Sequence, residues 1–134
     1  MTAEEIVRAV IVGAPYGQLL GVVPEAIDPD RVSVRLPFRS EVTTVGDVVH
    51  GGAISALIDI TATAAVWAGA DLEQHRRGAT VGITVTYLAP AHGQDLIATA
   101  EVIRRGRSLC VCDVEVAGAD GERVARALVT YKIG

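Results

Sequence analysis

His50, Gly51, Gly52 and Asp59 stand at a spacing that could do chemistry. They lie in VVHGGAISALIDITATAAVWAGA, a run from Val48 in which His50 and Asp59 are the only ionisable side chains. An uncompensated carboxylate in apolar surroundings is costly, so an acid kept there points to a use. Gly51 and Gly52 fall where a loop should turn into a helix, and glycines there let a ligand approach the backbone. The first-turn N–H groups sit at the positive end of the helix dipole and suit a carbonyl oxygen that is gaining negative charge. One such donor is typically worth ~3 kcal/mol in a transition state. Asp59 lies about 12 Å further along the helix axis, too far to serve the same carbonyl within one chain. Two such helices running antiparallel across a two-fold axis would bring Asp59 of one to the helix start of the other, which predicts a composite site in a homodimer.

The elements that must position these residues are legible from periodicity. Thr2 to Val12 reads as a short amphipathic helix, with Thr2 as cap, Glu4 and Glu5 in the first turn, and Pro15 and Gly17 ending it. Two extended stretches follow between Leu19 and Pro37, joined by a turn at Asp28 to Asp30; in the second, Val32, Val34 and Leu36 alternate with polar residues. Ala53 to Ala70 approaches the length of a membrane span, but the central Asp59 and the absence of basic flanks make it a core helix, apolar on all sides. Beyond the loop DLEQHRRG, TVGITVTYL alternates, with Val81, Ile83, Val85 and Tyr87 expected on one face and Thr80, Gly82, Thr84 and Thr86 on the other. DLIATAEVI, a tight connection at RRGRS, LCVCDVEVA, a hairpin at AGADGE and RVARALVTYKI complete the chain. One long buried helix with five or six antiparallel strands implies an α+β fold, a curved sheet wrapped around that helix, in a single domain over residues 1–134.

The bulk composition agrees. A hydrophobic share of 50%, a charged share of 21% and a mean hydropathy of +0.38 are apolar for so small a soluble chain, which a homo-oligomer would explain. A net charge of −4 without a basic tract argues against a nucleic-acid partner. MTAEEIVRAV has no basic n-region, so a cytoplasmic protein is expected. Cys110 and Cys112 alternate on one strand and are expected to pack in the core, being poorly placed for a disulfide and too few for zinc.

HGGAISALID, the later TVTYLAPA and then RRGRSLCVCDVEV together resemble the hotdog-fold acyl-CoA thioesterases of the phenylacetate-degradation type, from about Val32 to the end. The resemblance implies a double-hotdog dimer, often paired into a tetramer, that hydrolyses an acyl-CoA and needs no metal or cofactor beyond the coenzyme A of its substrate. Carried over, Gly51 donates its N–H to the thioester carbonyl and His50 orients the loop or substrate. Asp59 of the partner subunit is then general base or nucleophile, and Thr80 stands near the attacking water. Six residues before His50 these enzymes commonly have an asparagine where this chain has Thr44, which lacks the amide donor. Gly52 belongs to the same substrate-binding turn, and Arg104, Arg105 and Arg107 are candidates to hold the coenzyme A phosphates, against the plainer reading of a solvated basic turn.

Plainer readings exist for the other residues too: Asp59 could fix the helix by hydrogen bonding, His50 could cap, and Thr80 could face solvent. The functional alternative is a non-catalytic acyl-CoA or ligand-binding hotdog protein. A hotdog hydratase ranks lower, because Thr61 to Ala68 holds no acid, and an α/β-hydrolase is excluded by the lack of G-x-S-x-G.

Overall fold

A computed structural model describes all 134 residues. Its elements are α1 (Ala3–Ile6), α2 (Pro15–Leu20), β1 (Val23–Asp28), β2 (Arg31–Leu36), α3 (Gly51–Ala68), β3 (Gly78–Tyr87), β4 (Leu96–Arg105), β5 (Leu109–Gly118) and β6 (Arg123–Ile133). The six strands form one antiparallel sheet in the order β1-β2-β4-β5-β6-β3. It curves around α3, the hotdog arrangement expected from the sequence. The alternation read in β2 and β5 holds: Val32, Val34, Leu36, Cys110, Cys112, Val114 and Val116 are all buried against the helix. Alanines on both sides, Ala98, Ala100 and Ala127 on the sheet and Ala62 and Ala65 on the helix, let the backbones come close. At the centre Leu57 and Ile58 are fully buried, and truncating either to alanine would cost about 2–5 kcal/mol. Although α3 is long and apolar enough to cross a bilayer, most of it is enclosed by the sheet.

The amino-terminal segment differs from the expectation. Thr2 does cap α1, accepting from the Glu5 N–H at 3.1 Å, but the α-helix stops at Ile6 and widens into a π-helical run, Val7–Val12. Pro15 starts a second helix rather than ending the first. It sits in the opening turn of α2, where its missing N–H costs nothing, and Gly21 at φ 80° closes that helix. Leu19 and Leu20 are therefore helical, and the first extended stretch begins at Val23.

Strict alternation also fails in β3. A bulge between Thr80 and Gly82 leaves Val81 outside the pairing with β6. Thr80 stands opposite Tyr131, and Ile83, Val85 and Tyr87 stand opposite Val129, Ala127 and Ala125, all four of them inward-facing residues of β6. Cross-strand partners share a face. The bulge thus turns Thr80, not Val81, toward the helix.

Candidate active site

The start of α3 is built by His50. Its Nδ1 accepts the Gly52 N–H at 2.7 Å, and its carbonyl accepts the N–H groups of Ala53 and Ile54 at 3.0 and 3.1 Å. An accepting Nδ1 places the proton of the neutral imidazole on Nε2. Of the first-turn donors only the Gly51 N–H has no partner in the chain, which narrows the expected set of open donors to one. A Cβ on Gly52 would lie 3.0 Å from His50 Nδ1, so glycine there protects the cap. At Gly51 the nearest atoms to such a Cβ belong to the Tyr87 ring at 3.6 Å, so packing does not demand glycine. Gly51 also lines an open cleft.

Two residues that the sequence reading passed over hold this turn. Tyr87 Oη donates to the Gly51 carbonyl at 3.1 Å, and the Ser55 hydroxyl bonds to Tyr87 Oη in a very short contact. The signal was present, since Ser55 lies one turn beyond Gly51 and Tyr87 ends the strand beside it, but nothing in the spacing linked the two. Beside them opens a cleft of about 350 Å³, walled by Thr44, Val48, Gly51, Ile54, Tyr87, Leu88 and Pro90 among others. Thr44 therefore reaches the same opening as Gly51, as its position six residues before His50 implied.

Asp59 lies elsewhere on the helix, half-buried, with Thr80 Oγ1 donating to its Oδ1 at 2.6 Å. The bulge makes this contact possible. Asp59 belongs to an incompletely covered face of α3, formed by Gly52, Ser55, Ala56, Asp59, Ile60 and Thr63. Nearby, Tyr131 accepts a hydrogen bond from Trp67 Nε1 at 2.9 Å; burial, together with the negative charge of Asp59, pushes its phenol above the usual range despite that bond. The structure thus brings Gly51, Gly52, His50 and Thr44 to one place and Asp59 and Thr80 to another.

The three arginines of the β4–β5 connection separate. Arg105 is committed to the structure: its guanidinium pairs with Asp30 at 2.7 Å and donates to the Val66 carbonyl at 2.9 Å, capping the end of α3. That leaves it unsuited to the phosphate contact expected of it. Arg104 and Arg107 are exposed and make no ion pair. Cys110 and Cys112 are buried free thiols, as expected, and burial pushes Cys112 up to about 12. Of the chain's other two histidines, His92 lies 2.9 Å from Asp47, and His75 lines an apolar cavity of about 470 Å³ beside Trp67 and Tyr131.

This sheet wrapped around one long helix has relatives. The Thioesterase superfamily model matches residues 46–125. The chain belongs to that superfamily, and the class of enzyme so defined is a thioester hydrolase. The medium/long-chain acyl-CoA thioesterase YigI of Escherichia coli K12 is 27% identical, the match covering 100% of this chain and 97% of that protein. A thioesterase family protein from Silicibacter pomeroyi superposes with a TM-score of 0.89 at 26% identity over 98% of this chain and 97% of the other. The E. coli PaaI protein of the phenylacetic acid degradation operon has a TM-score of 0.87 at 20% identity, covering 98% of this chain and 93% of the other. At that identity the likeness shows the fold and does not single out the phenylacetate-degradation type.

Proposed function

We propose that the chain hydrolyses an acyl-CoA to a free acid and coenzyme A at sites shared between two copies. The observation that carries this reading is the single unpartnered N–H of Gly51, at the positive end of a buried helix and beside an open cleft, in a chain whose helical acid, Asp59, stands eight residues on, about 12 Å by helical rise. A second copy supplies that acid. The incompletely covered α3 face and the free outer edge of β3, where Val81, Ile83, Tyr87 and Leu88 are exposed, both call for a partner, and a second β3 running antiparallel satisfies the edge. Pairing about the middle of the ten-residue strand sets Thr80 of one chain near Tyr87 of the partner subunit, and therefore Asp59 near Gly51 of the partner subunit.

In that arrangement the thioester carbonyl oxygen accepts the Gly51 N–H. Asp59, its Oδ1 held by Thr80, turns Oδ2 to a water and takes its proton as the water oxygen attacks the carbonyl carbon. The C–S bond then breaks and the coenzyme A thiolate leaves. An alternative path has the Asp59 carboxylate itself attack, with water hydrolysing the resulting anhydride. His50 acts by fixing the loop through its cap. A medium- to long-chain acyl group is favoured over an aryl one, because the full-length relative at 27% identity bears that name.

The test is thiol release from aliphatic and aryl acyl-CoAs by wild type and Asp59→Asn, with dimerisation of both measured by light scattering. We expect turnover to fall by about 100-fold or more in an intact Asp59→Asn dimer. Equal rates would refute the role of this acid. Binding of acyl-CoA by wild type without turnover of any substrate would establish the non-catalytic reading instead.

A further inference from the structure

Tyr131 links Asp59 to an apolar cavity that the proposed reaction leaves unused. It stands opposite Thr80 across the β3–β6 pairing, Thr80 holds Asp59, and the charge of Asp59 is felt at the Tyr131 phenol. The same Tyr131 lines the cavity of about 470 Å³, whose other apolar walls include Ile6, Val10, Ile11, Trp67 and Leu72. Its size is that of a small-molecule site, and its lining suits a hydrocarbon. Two elements lead to it from Asp59. Along α3, Trp67 lies eight residues on, about 12 Å by helical rise. Along β3, Gly78 borders the cavity two residues before Thr80, about 7 Å away on the same face. Glycine suits that position, because a Cβ there would collide with the Tyr131 ring. The polar edges of the two large rings satisfy each other, Trp67 Nε1 donating to Tyr131 Oη at 2.9 Å.

We infer that this cavity takes the distal carbons of a straight aliphatic acyl chain, and that Ile11, Trp67 and Leu72 set the chain length the enzyme prefers. The inference rests on the shared-site reading above. In that arrangement the thioester carbonyl lies between Gly51 of the partner subunit and Asp59, and the coenzyme A arm occupies the cleft beside that glycine. The acyl group then runs the other way, past Thr63 and Thr80 toward Trp67. One chain therefore supplies both the acid and the tail cavity, and the other supplies the oxyanion donor. An extended alkyl chain advances about 1.25 Å per carbon, so about ten carbons span the 12 Å of helix between Asp59 and Trp67. A butanoyl group ends short of the cavity and a decanoyl group enters it. Each methylene that leaves water there strengthens binding about fourfold.

Trp67 is the chain's one tryptophan, so its fluorescence reads the cavity directly. The probes are S-decyl-CoA, a thioether that cannot be hydrolysed, and S-(10-bromodecyl)-CoA, whose terminal bromine quenches an indole on contact. We expect both to saturate the wild-type dimer, with strong quenching by the bromo probe relative to the plain one, while S-butyl-CoA leaves the emission unchanged. Leu72→Trp fills the cavity from a half-buried position. It should lower the ratio of kcat/KM for decanoyl-CoA to that for butanoyl-CoA by about 60-fold, the worth of about three methylenes. Ile11→Ala enlarges the cavity and should move the optimum to longer chains. Leu128→Trp, exposed on the outer face of the sheet, should keep the ratio within about twofold. Saturable binding of the bromo probe without quenching, or an unchanged ratio in Leu72→Trp, would overturn the inference while leaving the hydrolase intact. Should Leu72→Trp fail to dimerise, the bromo probe decides. Quenching without turnover of any acyl-CoA would support the cavity and overturn the hydrolase. With no probe bound and no acyl-CoA turned over, both readings fall.

Discussion

The two ends of α3 are finished in opposite ways. At the carboxyl end the Val66 carbonyl is capped by Arg105, Arg105 is fixed by Asp30, and Asp30 itself occupies a left-handed turn position at φ 65°. Gly69 completes that closure, because a Cβ there would fall 1.9 Å from Asp30 Oδ1. At the amino end His50 satisfies one N–H and its carbonyl two more, and the chain stops short of the last. Both ends contain glycine, for different reasons. Gly69 makes room for the protein's own side chain, whereas Gly51 leaves room that no side chain fills. One helix end is thus closed by three residues, and the other leaves open the donor on which the proposed mechanism relies.

The largest effect should follow from removing the open donor alone. Gly51→Pro deletes the N–H at a first helical position, where proline is tolerated, and His50 at φ −63°, ψ 134° already has the conformation a following proline requires. We expect kcat to fall by about 100- to 1000-fold with the fold preserved, against only a few-fold for Gly51→Ala, which keeps the donor. Circular dichroism and steady-state kinetics on the pair would separate loss of the N–H from loss of space, and equal defects would break the contrast between the two helix ends.

At the closed end, Arg105→Ala should lower stability by about 2 kcal/mol, the scale of a charge-assisted cap on a helix terminus. It would be read as a drop of several degrees in Tm, with KM for acyl-CoA retained. A rise in KM without loss of stability would return Arg105 to the substrate site. A smaller effect is expected from Tyr87→Phe, which frees the Gly51 carbonyl without touching its N–H: a fall in kcat of about tenfold or less, with KM little changed.

The mildest test concerns the core behind the helix. Burial favours the neutral Cys112 thiol, with a folded-state value of about 12 against an ordinary 9.0. The stabilisation linked to that group is fully present below its unfolded value and is lost as pH rises toward 12. Unfolding midpoints should therefore decline above about pH 9, and Cys112→Ser should lessen that decline. Rapid alkylation of native Cys112 at pH 8 would contradict its burial.

Much of this fold was legible in the sequence because it rests on periodicity and punctuation. The apolar run after His50 read as a core helix rather than a membrane span because Asp59 interrupts it and basic flanks are lacking, Asp59 advertised itself by its surroundings, and strict alternation in β2 and β5 set their inward faces. What stayed hidden depended on single-residue events. One bulge at Val81 reversed the facing of Thr80, and a pattern of period two cannot show where it slips. Pro15 read as a stop because the residues alone do not distinguish a helix-ending proline from one in an opening turn. Arg104, Arg105 and Arg107 looked equivalent as sequence neighbours, but a second bulge, between Val102 and Arg104, interrupts the register there, and Arg105 alone turns inward to Asp30 and Val66. Arg76 and Arg77 lie more than fifty positions before Lys132, and the pairing of β3 with β6 brings their segments together.

The central claim is that Gly51 and Asp59 of different chains form one site, and mixed dimers test it most directly. Gly51→Pro and Asp59→Asn chains, each nearly inactive alone, would be unfolded together and refolded at equal concentration. Random pairing gives half the dimers one intact site of two, so the mixture should recover about a quarter of wild-type activity. Recovery no greater than the sum of the two parents, with mixed dimers shown to have formed, would mean that each site is built within a single chain.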